Sequence, residues 1–175
     1  MSACVLYHFA FDPGSRAARL ALGEARIDFS ETPVRPWENG CPVATLNPSG
    51  MPPVLQVAEA DGQALTLCEP AAILGWLEER TTESFLLPAD AAERAEVRRL
   101  LARRDALAGR RISQADIVAA AHLSVLDYFG EVSWANWPAV KTWYMKLKSR
   151  PCFRPLLADR FPGVPPSTWY ADLDF

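Results

Sequence analysis

Asn47-Pro48-Ser49-Gly50-Met51-Pro52-Pro53-Val54-Leu55 decides how the first half of the chain must fold. Asn-Pro-Ser-Gly is a turn by its residue types. A proline leading straight into apolar Val54 and Leu55 has no N–H for a ladder, so it suits a strand start or a tight turn. An X-Pro bond there is a natural place for the cis isomer, whose cost is small. Val54–Val57 and Ala64–Leu67 flank Asp61-Gly62, which predicts a β-hairpin. Pro70 then fits the first turn of a helix, where a missing N–H costs nothing. That helix is predicted to run to Glu79 and to bury Ile73, Leu74 and Leu77.

Upstream, Cys4–Tyr7 is a short apolar run that predicts a buried strand. Asp12-Pro13-Gly14-Ser15 is a turn, and Ser15 or its neighbour opens a helix. Ala18, Ala21, Leu22 and Ala25 fall on one stripe, with Arg16, Arg19 and Glu24 largely off it. Phe29–Val34 can return as a second strand, giving a βαβ opening. The next loop holds Pro36, Gly40 and Pro42, and carries Trp37 among polar neighbours.

Downstream of Thr81–Asp90 the strand signals stop. Asp90-Ala-Ala-Glu93 reads as a capping box opening a helix to about Leu101, and Ser113-Gln-Ala-Asp116 as a second. Ile112 and Ile117 add a hydrophobic staple to the latter. Gln114–Phe129 is apolar nearly all round and predicts the central buried helix. Pro138 starts another helix, with Val140, Trp143, Tyr144 and Leu147 on one face, and Pro151 stops it. From Phe161 the prolines at 162, 165 and 166 exclude a regular helix, so this tail is expected to lie extended. The reading is a small α/β lobe of about 80 residues followed by an all-helical lobe.

Composition narrows the function classes. The 175 residues carry a net charge of −3 with both signs interspersed, which gives no basic surface for nucleic acid. No apolar run approaches a membrane span, and Met1–Phe11 does not read as a secretory signal. Cys4, Cys41, Cys68 and Cys152 are scattered. Neither His8 nor His122 stands at ligand spacing to them, so no metal site is expected and the thiols read as reduced.

The order βαβ, Asn47-Pro48-x-Gly50-x-x-Pro53-Val54-Leu55, hairpin, then Glu69-x-x-Ala72-Ile73 resembles the glutathione transferase superfamily. The Ser113–Asp116 box in a buried helix, and Trp143 with Ser149-Arg150-Pro151, resemble its second half. The resemblance implies a thioredoxin-like N-terminal domain (1–80), a helical C-terminal domain (90–160), an extended tail (161–175) and a homodimer. One departure stands out. The family has two long helices before the Ser113 box, whereas about a dozen residues separate Leu100 from Ser113 here. Residues near 101 are therefore expected to be missing, because a true deletion would bare the bundle core.

The family's glutathione contacts can be checked position by position. The residue before the cis-proline, Pro52 before Pro53, should pair its N–H and C=O with the tripeptide. Proline offers no N–H, and the unmet ligand carbonyl costs about 1–3 kcal/mol. After Glu69 the family places a serine that binds the γ-glutamyl carboxylate. Here it is Pro70, which lacks both the hydroxyl and the amide. The thiolate-stabilising position holds Asp12, whose charge would repel a thiolate. Tyr7 and Ser15 remain as catalytic candidates, so the old pocket is expected to bind glutathione weakly or not at all.

The Ser15–Glu24 helix, Arg35-Pro36-Trp37-Glu38 and the ending Tyr170-Ala171-Asp172-Leu173-Asp174-Phe175 bear a closer resemblance to a branch of that family. Its members bind the tubulin homologue FtsZ. This implies a non-catalytic, cytoplasmic scaffold at the division site that regulates constriction. Arg35, Trp37, Asp172, Asp174 and Phe175 are its partner-binding candidates, and it needs no cofactor. The alternative is a glutathione S-transferase enzyme acting on apolar electrophiles, with glutathione as cofactor. For several residues two readings stand side by side. Trp37 anchors its own loop or meets a partner, and the apolar tail docks on this chain or on a partner. Glu69 is structural as well as a pocket remnant. Cys68 and His122 read as packing, and Arg98, Arg99, Arg103 and Arg104 as a solvated helix face.

Overall fold

A computed structural model describes residues 4–59, 62–80, 86–103 and 112–173. The N-terminal part is a four-stranded mixed sheet of β1 (Cys4–His8), β2 (Ser30–Pro33), β3 (Val54–Ala58) and β4 (Ala64–Cys68), in the order β2-β1-β3-β4. β1 runs parallel to β2 with Tyr7 opposite Thr32, and antiparallel to β3 with Tyr7 opposite Val54. β3 and β4 form the expected hairpin. α1 (Pro13–Glu24) makes the crossover between β1 and β2. The one-turn α2 (Val43–Leu46) precedes the Asn47–Gly50 turn, and α3 (Pro70–Arg80) follows β4. The Pro52–Pro53 bond is cis.

The helical part comprises α4 (Ala91–Arg103), α5 (Gln114–Phe129), α6 (Pro138–Lys148) and the short α7 (Arg154–Ala158). α5 opens on the expected capping box. The Ser113 Oγ accepts from the Asp116 amide, and the Asp116 carboxylate accepts from the Ser113 amide at 2.8 Å. It closes on Gly130, held at φ 76 in the left-handed region where a Cβ would be strained. Two 3₁₀ turns, Trp134–Asn136 and Pro151–Phe153, and the whole of α7 lie outside the sequence expectation. They are too short to show a period.

One continuous core joins the sheet to the bundle. Leu6 and Leu55 of the sheet, Leu20 and Leu22 of α1, Ile73 and Leu77 of α3, Ile117 and Ala121 of α5 and Tyr144 of α6 all lie in it. A second, aromatic cluster gathers Phe11, Tyr128 and Tyr170. Three expectations need correction. α1 opens at Pro13, two residues before Ser15, because Asp12 is its N-cap and Pro13 occupies a position that needs no donor. Val140 is exposed, so the buried side of α6 is Tyr144 and Leu147. Arg16 and Arg19 are buried, since the C-terminal segment covers that flank of α1.

The tail is not extended throughout. Phe161 and Val164 form an antiparallel bridge around the turn at Gly163, and Tyr170 returns into the core. The expected gap near 101 borders residues 104–111, which lie outside the described residues, as do Asp174, Phe175 and Arg104.

Candidate functional site

The N-terminus of α1 meets the cis-proline turn. Asp12 lies in extended backbone and its Oδ2 accepts from the Ser15 amide at 2.6 Å, closing the helix end with a full negative charge. Gly14 is the close approach. A Cβ there would fall 2.8 Å from Cγ of Pro70, 3.2 Å from Asp12 Oδ2 and 3.4 Å from Cδ of Pro53. Asp12, Pro53 and Pro70 therefore all stand close around Gly14.

Internal bonds hold the turn. Asn47 Nδ2 donates to the Met51 carbonyl at 2.7 Å and to Glu69 Oε1 at 3.2 Å, and Ser49 Oγ donates to the same carboxylate oxygen at 3.1 Å. These bonds steady Glu69, which sits at φ 71, a region that costs an L-residue about 1–2 kcal/mol. The Glu69 amide donates to the Pro53 carbonyl at 3.3 Å.

The two catalytic candidates are both engaged in bonds within the chain. Ser15 is fully buried, and its Oγ accepts from the Phe9 amide at 3.2 Å. Tyr7 packs with Val34, Val43 and Val54 on the α2 side of the sheet, and its hydroxyl donates to Gln56 at 3.1 Å. Cys68 is half-buried, donates to the Leu46 carbonyl, and its thiol is pushed up by burial. His122 is also half-buried, and its Nδ1 lies 2.8 Å from the Val118 carbonyl. No group of three or more His, Cys, Asp or Glu is placed to hold a metal among the described residues.

A cleft of about 890 Å³ is lined by Phe9, Phe11, Trp37 and Phe161, with Arg35 and Arg160 also among its lining. Trp37 fits both sequence readings. Its ring stands edge-on to Phe9 at 5.1 Å, yet 65% of the residue is exposed. Arg35 bonds Glu38 at 2.9 Å in an exposed pair, which solvent screens to a small worth, so both charges can exchange partners.

The C-terminal segment docks on its own chain through buried charge. Arg16 Nε donates to the Ala10 carbonyl at 2.7 Å, and its Nη1 donates to Ser124 at 2.8 Å and to Tyr170 Oη at 3.1 Å. Arg19 reaches Asp159 at 2.7 Å and Glu31 at 3.0 Å. Glu31 also meets the His8 ring at 3.2 Å, and this neighbour, with Arg19 beside it, holds its carboxyl down to about 2. Further along, Lys148 and Asp127 form a fully buried pair at 3.2 Å. Lys148 Nζ also donates to the Trp169 carbonyl at 2.8 Å, and Ser167 Oγ donates to the Asp127 carbonyl. Burial raises Asp127 and lowers Lys148, each against the pull of the other. Tyr170 is thus locked in while Trp169, Asp172 and Leu173 stay exposed.

Residues 13–80 match the family model described as "Glutathione S-transferase, N-terminal domain". The chain is 47% identical to FtsZ-localized protein A of Caulobacter vibrioides, over 97% of each chain. It belongs to the glutathione S-transferase family. Among solved structures, FzlA from C. crescentus superposes with a TM-score of 0.89 at 45% identity, covering 98% of this chain and 99% of that one. A glutathione S-transferase from Rhodospirillum rubrum F11 superposes with the same score at 35% identity, covering 98% of this chain and all of the other. The alignment with FtsZ-localized protein A runs over 223 positions, more than the 175 residues here, so that relative carries residues with no counterpart in this sequence.

Within this glutathione S-transferase fold, sequence reasoning missed the buried polar network and three walls of the cleft, Phe9, Phe11 and Phe161. Arg16, Arg19, Asp127, Lys148 and Asp159 look like surface charges in a one-dimensional pattern. The one available signal was apolar Trp169–Tyr170 so near Asp172, since a tail must bury such rings somewhere.

Proposed function

We propose that this chain is a non-catalytic glutathione S-transferase-fold scaffold that binds FtsZ filaments at the cytoplasmic face of the division site and regulates constriction. The observation that carries the non-catalytic part is the filled α1 N-terminus. A carboxylate caps it, the Pro70 ring covers Gly14, and Pro52 has no N–H to offer. A thiolate brought there would meet the charge of Asp12 and a tripeptide carbonyl would find no donor. The likeness to FtsZ-localized protein A over nearly all of both chains supports the choice of partner.

On this reading Trp37 and Arg35 form one contact region, and the tail around Asp172, with Asp174 and Phe175 beyond it, forms another. The chain works as a homodimer and needs no glutathione. The test has two arms. Calorimetry with glutathione should show no binding up to millimolar concentration, and FtsZ polymers assembled with GTP should carry the protein into the pellet. Binding of glutathione in the micromolar range, with turnover of a chloronitrobenzene lost in Ser15→Ala or Tyr7→Phe, would instead favour an enzyme that places its electrophile in the aromatic cleft.

A further inference from the structure

One guanidinium grips both the loop that floors the aromatic cleft and the tail. Arg16 is wholly buried, Nε bonds the Ala10 carbonyl between Phe9 and Phe11, and its Cζ lies 4.8 Å from the Phe11 ring centroid. The same group donates to Tyr170 Oη, which in turn donates to the Leu156 carbonyl at 2.7 Å. A chain of rings runs in parallel. Tyr170 stands edge-on to Tyr128 at 5.0 Å, Tyr128 to Phe11 at 4.6 Å, Phe11 to Phe9 at 6.4 Å, and Phe9 to Trp37 at 5.1 Å. Such contacts are orientation-dependent, so a shift of one ring is felt by the next. Packed interiors have little slack to absorb it.

We infer that Tyr170, held by Arg16, is a positioning residue for the Trp37 wall of the cleft, so that the docked tail and the Trp37 loop meet a partner as one surface. This deepens the scaffold reading and rests on it for the identity of the partner. The coupling itself concerns the free protein and can be measured without any partner.

With 5-fluorotryptophan at the six tryptophans, Trp37→Phe assigns the Trp37 fluorine signal. Tyr170→Phe, which deletes one oxygen, should move the Trp37 signal and leave that of Trp76 on α3 in place. Ser113→Ala, which removes the α5 cap and so costs stability elsewhere, should leave Trp37 unmoved. Co-sedimentation with FtsZ polymers supplies a double-mutant cycle. Tyr170→Phe should weaken association about threefold in the parent and cause no further loss once Trp37 is Ala, the signature of coupled sites. An unmoved Trp37 signal in Tyr170→Phe, an equal movement in Ser113→Ala, or the same loss in both backgrounds would overturn the inference. If the unmodified chain fails to pellet with FtsZ, the scaffold reading falls and the fluorine signals alone decide the coupling.

Discussion

Two regions sit on opposite sides of α1's first turns, and the chain treats them in opposite ways. The cis-proline turn is closed by rings and by internal bonds. Pro52 and Pro70 contribute rings, and Asp12 satisfies the helix end from within. The C-terminal segment has the reverse character. Among the described residues it has no helix or named strand beyond residue 158, yet it collects buried charges from Arg16, Arg19 and Lys148. The irregular segment thus has the more specific, over-determined seat. Fold likeness therefore reports the first region well and says little of the use to which the molecule is put.

The largest effect should come from breaking the tail's anchor. Lys148→Met leaves the Asp127 carboxylate buried without its cation and should cost about 3–5 kcal/mol in urea unfolding. Adding Asp127→Asn should recover much of that loss, because a neutral amide tolerates burial beside Trp134 and Tyr144 far better than an unpaired charge. A loss well under 1 kcal/mol in the single variant would mean that the tail is not seated by this pair.

The converse change refills the turn with donors. Asp12→Ser, Pro52→Val and Pro70→Ser together restore a main-chain N–H, a hydroxyl and an uncharged helix end. Glutathione affinity by calorimetry should rise about a hundredfold or more over the parent. No gain would show that the departures read at these three positions are not what excludes the tripeptide.

Tyr170→Phe deletes one buried hydroxyl that both accepts from Arg16 and donates to Leu156. It should cost about 1–3 kcal/mol in the same urea assay. The smallest effect concerns acid. The fold holds Glu31 below its ordinary 4.5, down to about 2, so its ionised form favours the native state. That contribution is full above pH 4.5 and is lost as pH falls toward 2. The melting temperature should therefore drop across that window, and less steeply in Glu31→Gln.

The regular elements of the fold were open to reading from particular residues. Pro52-Pro53 before Val54, the Ser113–Asp116 box and Pro138 each carry a local steric or hydrogen-bond reason for the structure they begin. The prolines at positions 52 and 70 were equally legible, since a missing N–H is written in the residue type. Arg16 and Arg19 were not. Their neighbours in sequence place them off the apolar stripe, and the Asp159 carboxylate and Tyr170 phenol that help bury them come from 140 or more residues away. The cleft was hidden for the same reason, because Phe161 reaches Phe9 and Trp37 from the far end of the chain.

Co-sedimentation with FtsZ polymers tests the central claim most directly, comparing the full chain with one ending at Ala171. The scaffold account predicts that the full chain pellets with polymer, that the shortened chain stays largely in the supernatant, and that glutathione changes neither result. Equal pelleting of both chains would remove the tail from the partner surface, and no pelleting of the full chain would contradict the account outright.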